Sequence, residues 1–247
     1  MKLDCVILSS NDNPDYLEFW PIVSEAWKLM GVEPVLIYTG ENQLNLKGNI
    51  INFKINNINS AFVAQNIRIL YPSLFENKNV IVSDIDNLPL SRNYFLNSIS
   101  NVLDDSFVIY RPNACPENMI SMMWNAGNSS TWYEIFNIKN ENEIEKTLKK
   151  WFNKKYVLQG KGWYTDQIKL RKYVNKFASK NGSRIIKLND EELGFHRFNR
   201  NNLDYHFKLM SEKNTNRFTD FHMPRPYSDY EELIIKVFEF HKKFLVK

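Results

Sequence analysis

NVIVSDIDNLPLSRNYF, residues 79–95, runs a short apolar, β-branched segment into two aspartates one position apart, and then a proline. Val80, Ile81 and Val82 read as a buried strand, and Asp84 and Asp86 fall just past its C-terminal end. Residues two apart on an extended chain share a face, so the two carboxylates are expected to point the same way. Like charges side by side are unfavourable without a counter-charge, and the pair therefore asks for a cation. A bare D-x-D also occurs as a polar turn that merely starts a loop, so its position in the fold has to decide between the two readings.

Outward from this stretch, strands and helices alternate. CVILSS (5–10), PVLIY (34–38) and NIINFKI (49–55) read as strands. Residues 15–30 carry a helical apolar stripe closed by Gly31, and 60–71 a second helix with Ser60 as N-cap and Pro72 beyond its end. Such alternation predicts βαβ units, hence an α/β fold with a mostly parallel central sheet flanked by helices. Ligands of such sheets bind outside the C-terminal strand ends. That puts Ser9, Ser10, Asn11, Tyr38, Thr39, Asp84 and Asp86 in one crevice.

The later half reads less regularly. Strands are expected at 107–111, 119–124 and 184–188. Helices are expected at 129–155, at 165–177 (opened by a Thr165–Asp166 cap pair), and at 229–246, where a closing amphipathic helix packs on the rest. With no repeat, linker or composition break, the 247 residues read as one domain. Residues to about 100 form a nucleotide-binding half and the remainder a less regular half.

The chain is 43% hydrophobic with a formal charge of +4. That describes a globular protein without the basic concentration that nucleic-acid binding requires. Two cysteines without CxxC make a disulfide or zinc framework unexpected. No segment is long enough to span a bilayer and the N-terminal apolar run is too short for a signal peptide. A cytoplasmic, reducing compartment is expected, that of a host cell if the source is viral. Asparagine is frequent and says nothing about chemistry. Hard oxygen ligands suit Mg²⁺ or Mn²⁺, which keep open positions for phosphates. P-loop and GxGxxG motifs are both missing from the sequence, which leaves a metal-bound diphosphate whose other half reacts.

With these residues the sequence resembles the metal-dependent glycosyltransferases of the GT-A fold, and within them glycosyltransferase family 8. That group includes glycogenin and bacterial lipopolysaccharide galactosyltransferases, and similar compact enzymes occur in large algal DNA viruses. The resemblance is carried in short pieces over most of the chain. SSND ends the first strand, where the family places its nucleotide, and AQNIRILYP carries Arg68 near the donor phosphates. SDIDNLPL is the D-x-D. MMWNAGNSSTW resembles the strand end where Asn125 would touch the donor sugar and Gly127 would permit close approach. WYTDQ supplies Asp166 and Gln167 near the anomeric carbon. DFHMPRPY supplies His222 as third metal ligand and Arg225 for phosphate, with a shorter gap than the family's, Arg for its Lys and Tyr for its Trp.

The resemblance implies that Asp84, Asp86 and His222 hold Mn²⁺ or Mg²⁺. It implies a nucleoside diphosphate sugar, UDP-linked, as donor and a hydroxyl of a glycan or similar molecule as acceptor, with retention of configuration. Each residue also has a plainer reading. Asp166–Gln167 can simply cap a helix, and Arg68 can lie on a helix surface. His196 is a structural histidine, and Trp124, Trp132, Trp163 and Tyr164 fill the core. A metal-dependent nucleotidyltransferase and a non-catalytic nucleotide- or sugar-binding module are the competing functions.

Overall fold

The computed structural model describes residues 1–211 and 217–246. Its main sheet takes the strands β1 (Cys5–Ser10), β2 (Glu33–Tyr38), β3 (Asn49–Asn52), β4 (Asn79–Val82), β6 (Phe107–Tyr110), β7 (Asn125–Asn128) and β8 (Ile185–Leu188), in the order β3-β2-β1-β4-β7-β6-β8. Only β7 runs against the others. A smaller sheet, β5-β10-β9, joins β5 (Asn87–Pro89), β9 (His196–Asn199) and β10 (Phe218–His222). The helices are α1 (Pro14–Leu17), α2 (Trp20–Leu29), α3 (Ser60–Ile67), α4 (Arg92–Phe95), α5 (Ser129–Phe136), α6 (Glu141–Trp151), α7 (Thr165–Asn181), α8 (Leu203–Ser211) and α9 (Tyr227–His241). The expected α/β class with a mostly parallel sheet is the observed one.

The main sheet is buried on both faces, which is why its strands are apolar runs without alternation. On β1, Val6 and Leu8 pack with α2, α9 and the small sheet, while Cys5 and Ile7 pack with α3, α5 and α7. On β4, Ile81 takes the first side and Val80 and Val82 the second. Trp124 and Trp132 are fully buried core residues, as expected. The closing helix α9 buries Ile234, Val237 and Phe238 against the first core.

Several expected boundaries move. The helix expected over 129–155 is two helices, split where Asn137 turns left-handed and Asn140 caps the next. The 15–30 helix breaks at Glu18–Phe19, and the α3 cap is Asn59 rather than Ser60, its side chain accepting from Ala61 and Phe62 N–H. At α7, Thr165 Oγ1 donates to Gly162 O and Asp166 Oδ1 accepts from Gln167 N–H, so the pair does not form the expected cap. Residues 119–124 are a buried loop and not a strand. Ile120, Met122 and Trp124 bury their side chains there, but the ladder to β4 and β6 begins only at Asn125.

The small sheet was not foreseen. Its strands are short, and β10 encloses Thr219 and Asp220, both fully buried. The Asp220 carboxylate is matched by Arg111 Nη2 at 3.0 Å, from the end of β6, and by Arg197 Nε at 3.0 Å, from β9. A buried carboxylate is tolerated only when paired in this way. Asp220→Ala leaves two guanidinium groups facing a vacated site. We expect it to lower the unfolding free energy by about 3 kcal/mol or more, read from urea denaturation.

Candidate active site

The chain leaves β1 to build β2 and β3 on one side, then returns to place β4 on the other. A crevice must open where neighbouring strands send their connections apart, at the C-terminal ends of β1 and β4. A cleft lies there, with Ser9, Ser10, Asn11, Gln65, Arg68, Asp84 and Asp86 in its wall, together with Tyr16, Leu158 and Trp163.

Its walls are fixed by hydrogen bonds to α3. Ser9 Oγ donates to Ala64 O at 2.5 Å, and Asn11 Nδ2 to Ser60 Oγ at 3.1 Å. Arg68, the C-terminal cap of α3, is buried with its guanidinium between two carboxylates. Nη2 donates to Asp166 Oδ2 at 2.9 Å, and Nη1 is paired with Asp84 Oδ1 and also reaches Ser83 O at 3.4 Å. Asp166 is 1% exposed. Burial pushes its carboxyl up, with Asp84 adding to the rise, and Arg68 works against both.

Asp84 and Asp86 do not share an extended face. The strand ends at Val82 and the pair sits in a turn, with Asn87 N–H donating to Asp84 O at 3.3 Å. Asp84 meets Arg68, whereas Asp86 meets the small sheet. His222 stands opposite Asn87 in the β5–β10 register, and Met223 N–H donates to Asp86 O at 3.0 Å. That register brings His222 Nε2 within 3.4 Å of Asp86 Oδ2, while Arg200 Nη1 approaches the same oxygen at 3.3 Å. Burial pushes Asp86 up, but His222, Arg200 and Arg225 outweigh it and hold the carboxyl at about 2. Among the described residues no three His, Cys, Asp or Glu side chains converge closely enough to hold a metal as they stand. Asp86 and His222 are in contact, and Asp84 faces the same cleft from one residue away.

Of the other expected site residues, Arg225 stacks its guanidinium over the Tyr16 ring at 4.7 Å, beside the cleft. Gln167 lies next to Asp166, its Oε1 accepting from Cys115 Sγ at 3.2 Å. The Cys115 thiol is pushed up by burial, and Asp166 and Asp84 are near enough to add to this against a Ser121 hydrogen bond. Asn125 is fully buried, donates Nδ2 to Ser121 O at 2.7 Å and leaves Oδ1 without a partner. Tyr38 does not line the cleft. Its hydroxyl donates to Asp12, whose carboxylate also receives Glu41 and Asn42 N–H, and burial together with Asp12 pushes the phenol up to about 12. A Cβ on Gly40 would overlap this Tyr38–Asp12 contact, which accounts for a glycine there. Gly127 gives a close approach to Phe107 rather than to the cleft. His196 is exposed on β9.

The residues the sequence did not single out are Arg200, Gln65 and Tyr16. Tyr16 counted as part of an apolar stripe, and Arg200 sits in the asparagine-rich stretch RFNRNN, with nothing local to mark it.

No protein-family model matches the sequence, and no curated protein matches it. Solved structures do match the fold. The galactosyltransferase LgtC, determined with donor and acceptor sugar analogues, aligns over 98% of this chain and 96% of its own at 13% identity and a TM-score of 0.50. The bifunctional glycosyltransferase WbbM aligns over 97% of this chain and 52% of its own at 12% identity and the same score. A glycosyltransferase involved in glycosylating the major capsid of PBCV-1 aligns over 94% and 99% at 12% identity and a TM-score of 0.46. The chain has the GT-A glycosyltransferase fold. In this GT-A chain the cleft lies where β1 and β4 part, and the D-x-D turn forms part of its wall.

Arg68 is the counter-charge on which that wall depends. Arg68→Met should lower the unfolding free energy by about 3 kcal/mol, because the buried Asp166 carboxyl loses the guanidinium that matches it. Adding Asp166→Asn should recover part of the loss. Simple additivity in urea titrations of the single and double variants would refute the coupling.

Proposed function

We propose that this protein is a metal-dependent glycosyltransferase that moves a sugar from a UDP-linked donor to a hydroxyl acceptor with retention. The observation that carries the reading is the placement of Asp84 and Asp86 at the end of β4, lining one cleft with Ser9–Asn11 from the neighbouring β1, in a fold shared over nearly the whole chain with a galactosyltransferase. Residues to about 100 would hold the donor, and the remainder the acceptor.

The donor set fits a divalent ion. Two carboxylates and an imidazole suit Mn²⁺, Asp86 and His222 already touch, and the buried His222 Nδ1 has no partner among the described residues. Asp86, His222 and Asp84 would hold the ion, with Mg²⁺ the alternative. Bound there, it supplies a Lewis acid for the departing diphosphate. Arg68 and Arg225 place positive charge beside that diphosphate. Ser9, Ser10 and Asn11 border the space for the nucleotide, with Tyr38 behind them bracing the loop through Asp12. Asp166 keeps Arg68 in place, while the expected sugar contacts Asn125 and Gln167 do not line the cleft: Asn125 is fully buried against Ser121 and Gln167 turns toward Cys115. In the reaction the bond from the anomeric carbon to the diphosphate oxygen breaks. A bond to the acceptor oxygen forms on the same face, and the acceptor's proton passes to the departing diphosphate.

UDP release from a panel of UDP-sugars, with Mn²⁺ and with EDTA, tests the reading. One donor should turn over with metal only, and Asp86→Ala should lower the rate by about a thousandfold or more. Failure of UDP to bind with or without Mn²⁺ would refute the reading.

A further inference from the structure

A second hollow of about 460 Å³ opens beside the cleft, between residues 112–120, α7 and β8. Two contacts join it to the cleft wall. Cys115 lines the hollow and donates its thiol hydrogen to Gln167 Oε1, and Ile120, also in its wall, donates its N–H to Gln167 O at 3.2 Å. Gln167 is the chain neighbour of Asp166, which holds Arg68 on the cleft side. The hollow and the cleft therefore meet on either side of the Asp166–Gln167 pair.

The charge in this hollow is unbalanced. Arg171 follows Gln167 by four positions on α7, so the two share a helix face one turn apart. Lys187 comes from β8 across the hollow. Elsewhere, Arg68, Arg111, Arg184, Arg197 and Arg200 each contact a carboxylate. Among the described residues Arg171 and Lys187 contact none, and Arg171 Nε is buried without any acceptor. Glu117 brings the one carboxylate of the described lining, and it is exposed. A guanidinium with a lysine opposite suits an oxyanion.

We infer that this hollow is the acceptor subsite and that the acceptor is a saccharide bearing an oxyanion, a carboxylate or a phosphate ester, held by Arg171 and Lys187 with a hydroxyl directed toward Gln167. The inference rests on the glycosyltransferase reading and narrows its acceptor to an anionic class. Neutral sugars can accept a hydrogen bond from Arg171 but carry no charge to balance Arg171 and Lys187.

Equilibrium binding to the full chain tests this without turnover. Glucuronate, glucose 6-phosphate, glucose and inorganic phosphate would be titrated against the wild type, Arg171→Gln, Lys187→Gln and the double variant. UDP with Mn²⁺ would be titrated against the same four proteins. At least one charged sugar should bind about tenfold or more tighter than glucose, and whichever does so tells carboxylate from phosphate ester. Each single variant should lose several-fold of that preference and the double variant all of it, with UDP binding unchanged. Equal binding of charged and neutral sugars, no binding of either, or a preference that survives in the double variant would overturn the inference. Inorganic phosphate binding as tightly as glucose 6-phosphate would overturn its saccharide part. Loss of UDP binding in the wild type with the charged-sugar preference intact would overturn the transferase reading and leave the anionic subsite standing.

Discussion

The Arg68 guanidinium ties together three parts of the chain that are distant in sequence: the end of α3, the turn after β4, and the start of α7. A buried arginine is tolerable only if its charge is matched. Here Asp84 and Asp166 match the charge and Ser83 O takes a further bond from Nη1, while Nε has no acceptor among the described residues. The same contacts that keep the charge from being a liability fix the relative positions of the D-x-D turn and the helix carrying Gln167. The charge that makes the site stable also makes it a site, since Arg68 holds together two carboxylates that would otherwise repel each other beside the cleft.

The small sheet makes the second attachment. By pairing β5 with β10 it folds the chain back onto the residues just after the D-x-D, so that a histidine more than 130 positions away stands against Asp86. The sheet has its own buried charge problem, solved by Arg111 and Arg197 around Asp220. Both attachments use arginine, whose planar fork can serve two acceptors at once.

The main sheet was legible in the sequence because both of its faces are covered, so β1, β2 and β4 appear as uninterrupted apolar runs bounded by polar turns. The D-x-D could be placed because it follows such a run. The small sheet was not legible. Three-to-five-residue strands give too little pattern, and FTDFH hides a buried carboxylate inside. Loop 119–124 misled in the opposite direction, since Ile120, Met122 and Trp124 are buried as a strand's residues would be, without the ladder. The asparagines, set aside as uninformative, mark where helices begin: Asn13, Asn59, Asn128 and Asn140 each cap one. Arg200 could not be found locally, because its meaning comes only from the fold that brings it to Asp86.

The reversed direction of β7 has a consequence for how such a protein can diversify. In a purely parallel sheet only the connection leaving a strand reaches the crevice, while the one entering it arrives from the far edge. Because β7 runs backwards, the segment 111–124 both leaves β6 and enters β7 on the crevice side, and it is pinched shut at its base where Tyr110 N–H donates to Trp124 O at 3.0 Å. A loop closed at its base can grow cheaply, since doubling its length costs only about 0.6 kcal/mol in closure entropy. The exposed part of this segment, 113–118, can therefore be lengthened, shortened or rewritten while Arg111, Ile120, Met122 and Trp124 stay buried. That surface is free to change while the D-x-D turn and the arginine behind it stay in place.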